Sequence, residues 1–377
     1  MSSELQVRTD TEVPPIETLG PPRGGAPESD VQTAPPAVQT QPRGRRHSGA
    51  LADRKHAIRY WVTMGILAVL AVGFTVGLLA YDNPMEFGTD AFWRIASLRL
   101  DTLLTIVVVA FCHALATVAF QTATNNRIIT PSIMGFESLY VATQTGAVFL
   151  FGAVGTTMLI GLPQFFIQAG AMVLFAMVLY TWLLSGRFSN IHIMLLVGVV
   201  IGGGLGSLSN FMQRMLTPSE FDVLSGRLFG SISNARTEYL PYAIPIALLA
   251  GAALWWKSRQ LNVVALGKNT ANNLGLNHKR EVMKILFLVS ILMAMTTSLI
   301  GPITFLGFLV ATLSYQLADT YSHRLLFPMA ILLGYVLLTG AYFILRNIFY
   351  AQGVVTIIIE LIGGCVFLFF VLRKGRL

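Results

Sequence analysis

The chain has 377 residues, of which 54% are hydrophobic and 12% are charged, and its mean hydropathy is +0.65. This composition excludes a soluble globular protein of this length. The formal net charge of +8 does not require a nucleic-acid partner, because membrane proteins retain basic residues on their cytoplasmic side.

The first 57 residues differ in composition from the rest of the chain. They contain eight of the 16 prolines and no Phe, Trp or Tyr, so they cannot bury enough apolar surface to offset the entropy of ordering. We predict a disordered cytoplasmic tail over residues 1–57 and a transmembrane domain over residues 58–377. A basic cluster beside the first apolar segment is a topology signal or, alternatively, a contact with anionic lipid.

The remaining residues hold roughly ten apolar segments of the length that spans a bilayer as a helix. We therefore predict an all-α polytopic membrane protein. The eighth segment is short and has glycine and proline near its start, which predicts a broken beginning. The predicted spans are 58–80, 99–120, 134–153, 163–184, 191–213, 239–256, 282–300, 303–317, 325–345 and 354–372.

The distribution of basic residues tests the predicted number of spans. With the N-terminus in the cytoplasm, 18 lysines and arginines fall at cytoplasmic ends and six on the opposite side, leaving out Arg8 and Arg23 in the distal tail. This bias predicts that both termini are cytoplasmic. Cys112 and Cys365 each lie within an apolar segment, so we expect neither a disulfide nor a metal cluster.

The stretch QTATNNRIITPSIMGFE (121–137) lies between two apolar segments and turns through polar residues. Its order and spacing resemble the signature turn of permease subunits of ABC importers for iron chelates and cobalamin. The family usually has Pro-Leu-Ala after the Asn, whereas this chain has Arg127-Ile128-Ile129. This variant is similar to the branch that handles catecholate or mixed-ligand ferric siderophores. The matching motif residues are Gln121, Asn126, Pro131 and Gly135.

Later segments carry the same resemblance. The longest internal cytoplasmic loop, residues 257–281, contains glycine-punctuated short segments similar to the family's ATPase-coupling segment; its candidate contact residues are Leu266, Gly267, Leu274 and Gly275. Gly275 is also a plausible helix stop in its own right. The run GPITFLGFLV matches the family's motif through Gly301 and Gly307, although the Pro-His that commonly follows is replaced by Ala311-Thr312.

The resemblance implies a non-catalytic permease subunit of an ATP-driven, binding-protein-dependent importer in the bacterial plasma membrane, carrying a ferric siderophore. It implies two separate ATPase subunits, an extracytoplasmic binding protein, and a second permease, for which we favour a homologous chain over an identical one. No cofactor or protein metal site is expected, because the siderophore ligates the iron. The family pattern places binding-protein docking at Arg99 and Arg346, and a cytoplasmic gate at Asn190 and Ile191.

Three acidic residues lie within or at the edge of predicted spans: Asp101, Glu137 and Glu360. Intramembrane acids are energetically costly and often functional. For Glu360 we favour a structural, hydrogen-bonded role over a place in the transport pathway. The alternative function is an ion-coupled secondary transporter of a small solute. That class needs ionisable groups in mid-membrane, and this sequence offers few.

Overall fold

The computed structural model describes residues 50–51, 54–81, 83–158, 161–185, 191–228, 232, 235–349 and 355–374. Regular structure within these residues is entirely helical, as the sequence predicts. Most of the predicted tail lies outside the described residues, and the first helix begins at Arg54, four residues before the expected boundary. The helices are α1 (Arg54–Ala80), α2 (Asp90–Ala123), α3 (Phe136–Met158), α4 (Leu162–Ser185), α5 (Ile191–Met215), α6 (Pro218–Leu228), α7 (Leu240–Trp256), α8 (Ser258–Val264), α9 (Lys268–Asn273), α10 (His278–Ile300), α11 (Thr304–Ala318), α12 (His323–Asn347) and α13 (Val355–Lys374).

Each predicted span overlaps one of these helices. Among the described residues, seven helices are long and apolar enough to cross a membrane: α1, α2, α4, α5, α7 together with its preceding turn, α10 and α12. Helices α11 and α13 contain shorter apolar stretches, and α3 is interrupted at Gly152, whose φ is +69°. The all-helical membrane fold is therefore confirmed in its coarse form.

Helix α2 is longer than the predicted 99–120 because it begins nine residues earlier. The Thr89 hydroxyl accepts a hydrogen bond from the Phe92 N–H at 3.2 Å, as expected of a helix N-cap. Asp90 follows in the first turn, where a negative charge is favourable. The extension was not predicted, because Asp90, Arg94 and Ser97 interrupt its apolar residues.

Helices α2 and α10 form the centre of the bundle, whereas α1 lies at its edge. Close packing around α2 depends on small residues of its neighbours, as is usual between membrane helices. A Cβ atom on Gly251 of α7 would lie 2.3 Å from the Phe111 ring, and one on Gly307 of α11 would lie 2.2 Å from the Thr117 hydroxyl oxygen. The motif residue Gly307 thus allows α11 to approach α2.

The eighth predicted span has the broken start that its sequence suggests. Helix α10 ends at Ile300, and Gly301 caps it with a φ of +87° that favours glycine. Helix α11 then has only 15 residues, which is about 22 Å of helix. This is shorter than the hydrocarbon core of a bilayer, which is about 30 Å thick.

Candidate transport and coupling sites

The signature turn (residues 121–135) follows the C-terminal end of α2. The Gln121 side-chain amide donates to the carbonyl oxygen of Arg127 at 2.7 Å, and the Asn126 N–H donates to the Gln121 carbonyl at 3.1 Å. The Asn126 side-chain oxygen accepts from the Ile128 N–H at 2.9 Å, as in an Asx turn. Both polar motif residues therefore fold the turn back on itself.

The second half of the signature turn packs against α5. Pro131 precedes a single 3-10 turn, and Gly135 follows it with a φ of +97°. A Cβ atom on Gly135 would lie 3.1 Å from the Gly202 Cα, and one on Gly202 would lie 2.9 Å from the Gly135 Cα. Gly202 lies about 16 Å along α5 from its first residue, so α3 begins beside the middle of α5.

A glycine-rich stripe of α5 allows close approach at some of its positions but not at others. A Cβ atom on Gly198 would lie 2.7 Å from the Met134 side chain, and Gly202 has the contact given above. Gly203, Gly204 and Gly206 have no such neighbour within 4 Å. Only one side of the stripe is therefore used by the described part of this chain.

A buried carboxylate lies where α3 and α11 both begin. Glu137 is the second residue of α3 and is 8% exposed. Its Oε2 accepts a hydrogen bond at 2.6 Å from the hydroxyl of Thr304, the first residue of α11. Helix N-termini favour negative charge, so this position suits a buried carboxylate that joins the starts of two helices.

Glu360 on α13 has a different environment. Its side chain is exposed on the surface of this single chain, and no hydrogen bond to it occurs among the described residues. The hydrogen bond expected for Glu360 is therefore absent here, because no other described helix covers that face of α13. Glu137, by contrast, is buried and hydrogen-bonded.

The coupling segment (residues 257–281) contains the two short helices α8 and α9. Gly267 has a φ of +89° before α9, and Gly275 has a φ of +80° after it. The Leu276 N–H donates to the Ala271 carbonyl at 3.0 Å, and the Gly275 N–H donates to that of Asn272 at 2.9 Å. These two bonds define a Schellman motif, so Gly275 ends the helix as the sequence predicts.

The leucines of the coupling segment fall into two groups. Leu266 is 57% exposed and Leu274 is 62% exposed, as expected for residues that another protein covers. Leu276, by contrast, packs partly buried against the core. The chain therefore presents two leucines, each next to a glycine with positive φ.

The base of the coupling segment is fixed by an ion-pair network. Lys257 Nζ lies 2.6 Å from Glu281 Oε2, and Lys284 Nζ lies 2.8 Å from Glu281 Oε1. These contacts join the residue after α7 to the first turn of α10. The segment is therefore held at both ends where it leaves the bundle.

A polar junction formed by Asn262, His323 and Thr122 connects the coupling segment to the membrane helices. The Asn262 side-chain oxygen on α8 accepts from the His323 backbone N–H at 3.1 Å and lies 2.6 Å from Nδ1 of the same ring. His323 Nε2 lies 2.7 Å from the Thr122 hydroxyl on α2. The sequence contained no signal for the contact between Asn262 and His323.

A second buried polar network was not predicted. The Gln144 amide on α3 donates to the Gln168 side-chain oxygen on α4 at 2.6 Å. Arg236, which precedes α7, donates to the Gln164 side chain at 2.9 Å and to the Tyr239 hydroxyl at 2.9 Å. Glutamines spaced four apart on α4 were the available signal, since both lie on one face of a helix.

The two arginines assigned to docking have different surroundings. Arg99 is half-buried, and its guanidinium donates to the carbonyl oxygens of Leu78 at 3.0 Å and Tyr81 at 2.8 Å. These carbonyls belong to the end of α1, so Arg99 caps that helix. Arg346 lies half-buried in the last turn of α12. The cap on α1 limits how freely Arg99 can reach a partner.

The proposed gate coincides with the start of α5. Asn190 lies outside the described residues, and Ile191 is the first residue of α5.

Within the described part of the chain, no group of three or more His, Cys, Asp or Glu residues is placed to hold a metal ion. The geometry thus provides a helical bundle with membrane-spanning helices, a hydrogen-bonded turn packed against α5, and a loop with two exposed leucines.

This arrangement defines a class of membrane transport protein. A solved structure described as an inward-facing conformation of a metal-chelate type ABC transporter has the same fold, with a TM-score of 0.66 over 83% of this chain and 99% of that one, at 24% identity. The model of the FecCD transport family matches residues 61–373. The chain belongs to the FecCD transport family, as its signature turn predicts.

Two relatives make the resemblance more specific. The petrobactin import system permease protein FatC of Bacillus anthracis is 47% identical over 332 residues, which are 88% of this chain and 94% of that protein. The petrobactin import system permease protein YclO of Bacillus subtilis is 37% identical over 278 residues, which are 74% of this chain and 88% of that protein. The predicted family and siderophore branch are thus confirmed.

Proposed function

We propose that this chain is the membrane-spanning permease subunit of an ATP-driven importer of a ferric siderophore, and that its cargo is of the petrobactin type. The observation that carries the proposal is the 47% identity to a petrobactin import permease over almost its whole length. Petrobactin is a catecholate-type siderophore. The variant signature turn of this chain supports the same branch.

In this proposal the chain crosses the bacterial plasma membrane ten times, with both termini in the cytoplasm. The seven long apolar helices account for most of the crossings, and α3, α11 and α13 supply the remaining three. The distribution of basic residues supports this orientation. It places the coupling segment in the cytoplasm.

ATP hydrolysis takes place on separate ATPase subunits, and the permease converts it into alternate inward and outward opening. Exposed Leu266 and Leu274 support a contact with the ATPase, because two large apolar side chains on a rigid loop suit a partner's groove. The ion pairs at the base of the loop would pass its movement to α7 and α10. A second, homologous permease would complete the pathway.

Two further sites follow from the family pattern. The cytoplasmic gate is proposed at Asn190 and Ile191, where α5 begins. Docking of the extracytoplasmic binding protein is proposed at Arg99 and Arg346, where opposite charges would guide association more than they add affinity. Because Arg99 already caps α1, we assign the larger share of docking to Arg346.

The alternative is an ion-coupled secondary transporter. It would require ionisable groups that load and release a proton or sodium ion in mid-membrane. Glu137 is the buried candidate, but it is hydrogen-bonded where two helices begin. The family relationship also favours the ATP-driven importer.

Reconstitution tests the proposal. Proteoliposomes containing this chain, its partner permease and the cognate ATPase are supplied with the binding protein and iron-labelled ferric petrobactin. Uptake is expected only with hydrolysable ATP and binding protein, and an ATPase subunit without its catalytic glutamate is the matched control. Uptake driven by a proton or sodium gradient without ATP would instead establish the secondary transporter.

A further inference from the structure

A cavity of about 470 Å³ lies beside the coupling segment. Its walls come from four parts of the fold that are distant in sequence. They are the signature turn with the end of α2, the end of α11 with the loop that follows it, Ala265 between α8 and α9, and His323 at the start of α12. Thr122 and His323 belong to the polar junction described above, but the Arg127 side chain and the open space beside it have no role so far.

Arg127 is the charged group of the cavity with the most defined surroundings. Its guanidinium carbon lies 4.4 Å from the centre of the Tyr315 ring and 5.2 Å from that of Tyr321. The side chain is exposed, and no Asp or Glu forms an ion pair with it among the described residues. Contact with aromatic rings orients a guanidinium while leaving its N–H groups free to donate.

A planar guanidinium held in this way is suited to bind a carboxylate through two parallel hydrogen bonds. The position of the cavity identifies the source of that carboxylate. Ala265 lines the cavity, and the next residue, Leu266, is one of the two exposed leucines. A protein that covers Leu266 is therefore placed beside the cavity that contains Arg127.

We propose that the Arg127 cavity receives an acidic side chain of the ATPase subunit. The inference rests on the proposed function and deepens it by adding a charged contact beside the apolar one. The leucines would supply most of the buried apolar area. The Arg127 contact would fix the register of the two proteins, as buried charge pairs do at interfaces.

The test measures binding of the cognate ATPase subunit to the complete permease pair in lipid nanodiscs over a range of salt concentrations. Arg127→Gln removes the charge, and Arg127→Lys keeps the charge but loses the planar fork. Arg324→Gln is the matched control, because Arg324 is an exposed arginine in the first turn of α12 with no hydrogen bond or ion pair among the described residues. Size-exclusion profiles and thermal unfolding verify that each variant is folded.

Arg127→Gln is expected to weaken binding by about tenfold or more at low salt and to reduce its salt dependence. Arg127→Lys should recover part of the affinity, and Arg324→Gln should bind within about twofold of wild type. Lysine substitutions of surface acids on the ATPase, combined with Arg127→Glu, should identify a pair that restores binding.

Three results would overturn the proposal. The first is equal affinity of Arg127→Gln and wild type at every salt concentration, and the second is an equal loss in Arg127→Gln and Arg324→Gln. The third is a loss of affinity in Arg127→Gln that depends on another anion. A loss seen only in anionic lipid would assign the cavity to a lipid headgroup, and a loss that inorganic phosphate abolishes at constant ionic strength would assign it to a free anion. If the wild-type permease pair binds no ATPase at all, the proposed function fails instead.

Discussion

Replacing Gly202 by alanine tests whether the signature turn depends on its contact with α5. The new methyl group would lie 2.9 Å from the Gly135 Cα and 3.3 Å from its nitrogen, both closer than the usual contact distance of about 3.5–4.0 Å. These neighbours are backbone atoms that cannot rotate away. The turn or α5 must therefore move.

The expected magnitude combines two opposing effects. Overpacking of a tight contact destabilises by about 1–3 kcal/mol, whereas Gly→Ala in a helix stabilises by roughly 0.5–1 kcal/mol. Gly203→Ala is the matched control, because it is the next residue of the same helix and a Cβ atom there has no neighbour within 4 Å. The difference between the two variants then isolates the clash at about 1–3 kcal/mol.

The assay is denaturant unfolding of the isolated permease in mild detergent micelles, followed by its tryptophan fluorescence. Gly202→Ala should unfold at lower denaturant than Gly203→Ala, and its transport should fall if the turn positions α3 beside the pathway. Equal unfolding midpoints for the two alanine variants would refute the close contact. A lower unfolding midpoint for Gly203→Ala than for Gly202→Ala would show that the Gly203 side of α5 is the packed one.

Three further predictions concern the other sites. Gly275→Val combined with Leu274→Asp should abolish transport-linked ATPase activity, because a β-branched residue is strained at positive φ. Gly275→Asn should retain part of this activity. Unchanged activity in an assembled double variant would contradict the coupling role. Glu137→Ala should destabilise the fold by about 1–3 kcal/mol and Glu137→Gln by less, as unfolding midpoints would report; equal losses would exclude the hydrogen bond as the cause. Arg346→Glu should slow association of the binding protein and weaken the salt dependence of that association. Adding Arg99→Glu should also lower the unfolding midpoint. A double variant that associates at the wild-type rate at low salt would disprove docking at these two arginines.

The sequence was sufficient for the helical class and for the function of several glycines. Gly275 and Gly301 were recognisable because each follows an apolar or leucine-containing run where a helix must stop. Both have positive φ in the structure. Such signals are local, so one sequence contains all the information needed to interpret them.

The contacts between distant segments could not be predicted in the same way. The hydrogen bond between Glu137 and Thr304 joins residues 167 positions apart, and that between Asn262 and His323 joins residues 61 positions apart. Hydropathy marks each residue only as polar within or beside an apolar run. Which partner it meets depends on how the helices pack.

The role of Arg99 shows a different limit. Its motif position and predicted side of the membrane suggested a contact with the binding protein. The structure shows that its guanidinium donates to carbonyl groups at the end of α1. Sequence patterns identify that a charge is present at a helix end, but they do not show whether the same chain already uses it.

The junction at His323 has a consequence for how a movement of the coupling segment reaches the bundle. Asn262 offers the same oxygen to the His323 backbone N–H and to Nδ1, and Nε2 lies 2.7 Å from the Thr122 hydroxyl. One imidazole ring therefore bridges α8 and α2, so a shift of α8 would displace the start of α12 and the end of α2 together rather than α12 alone.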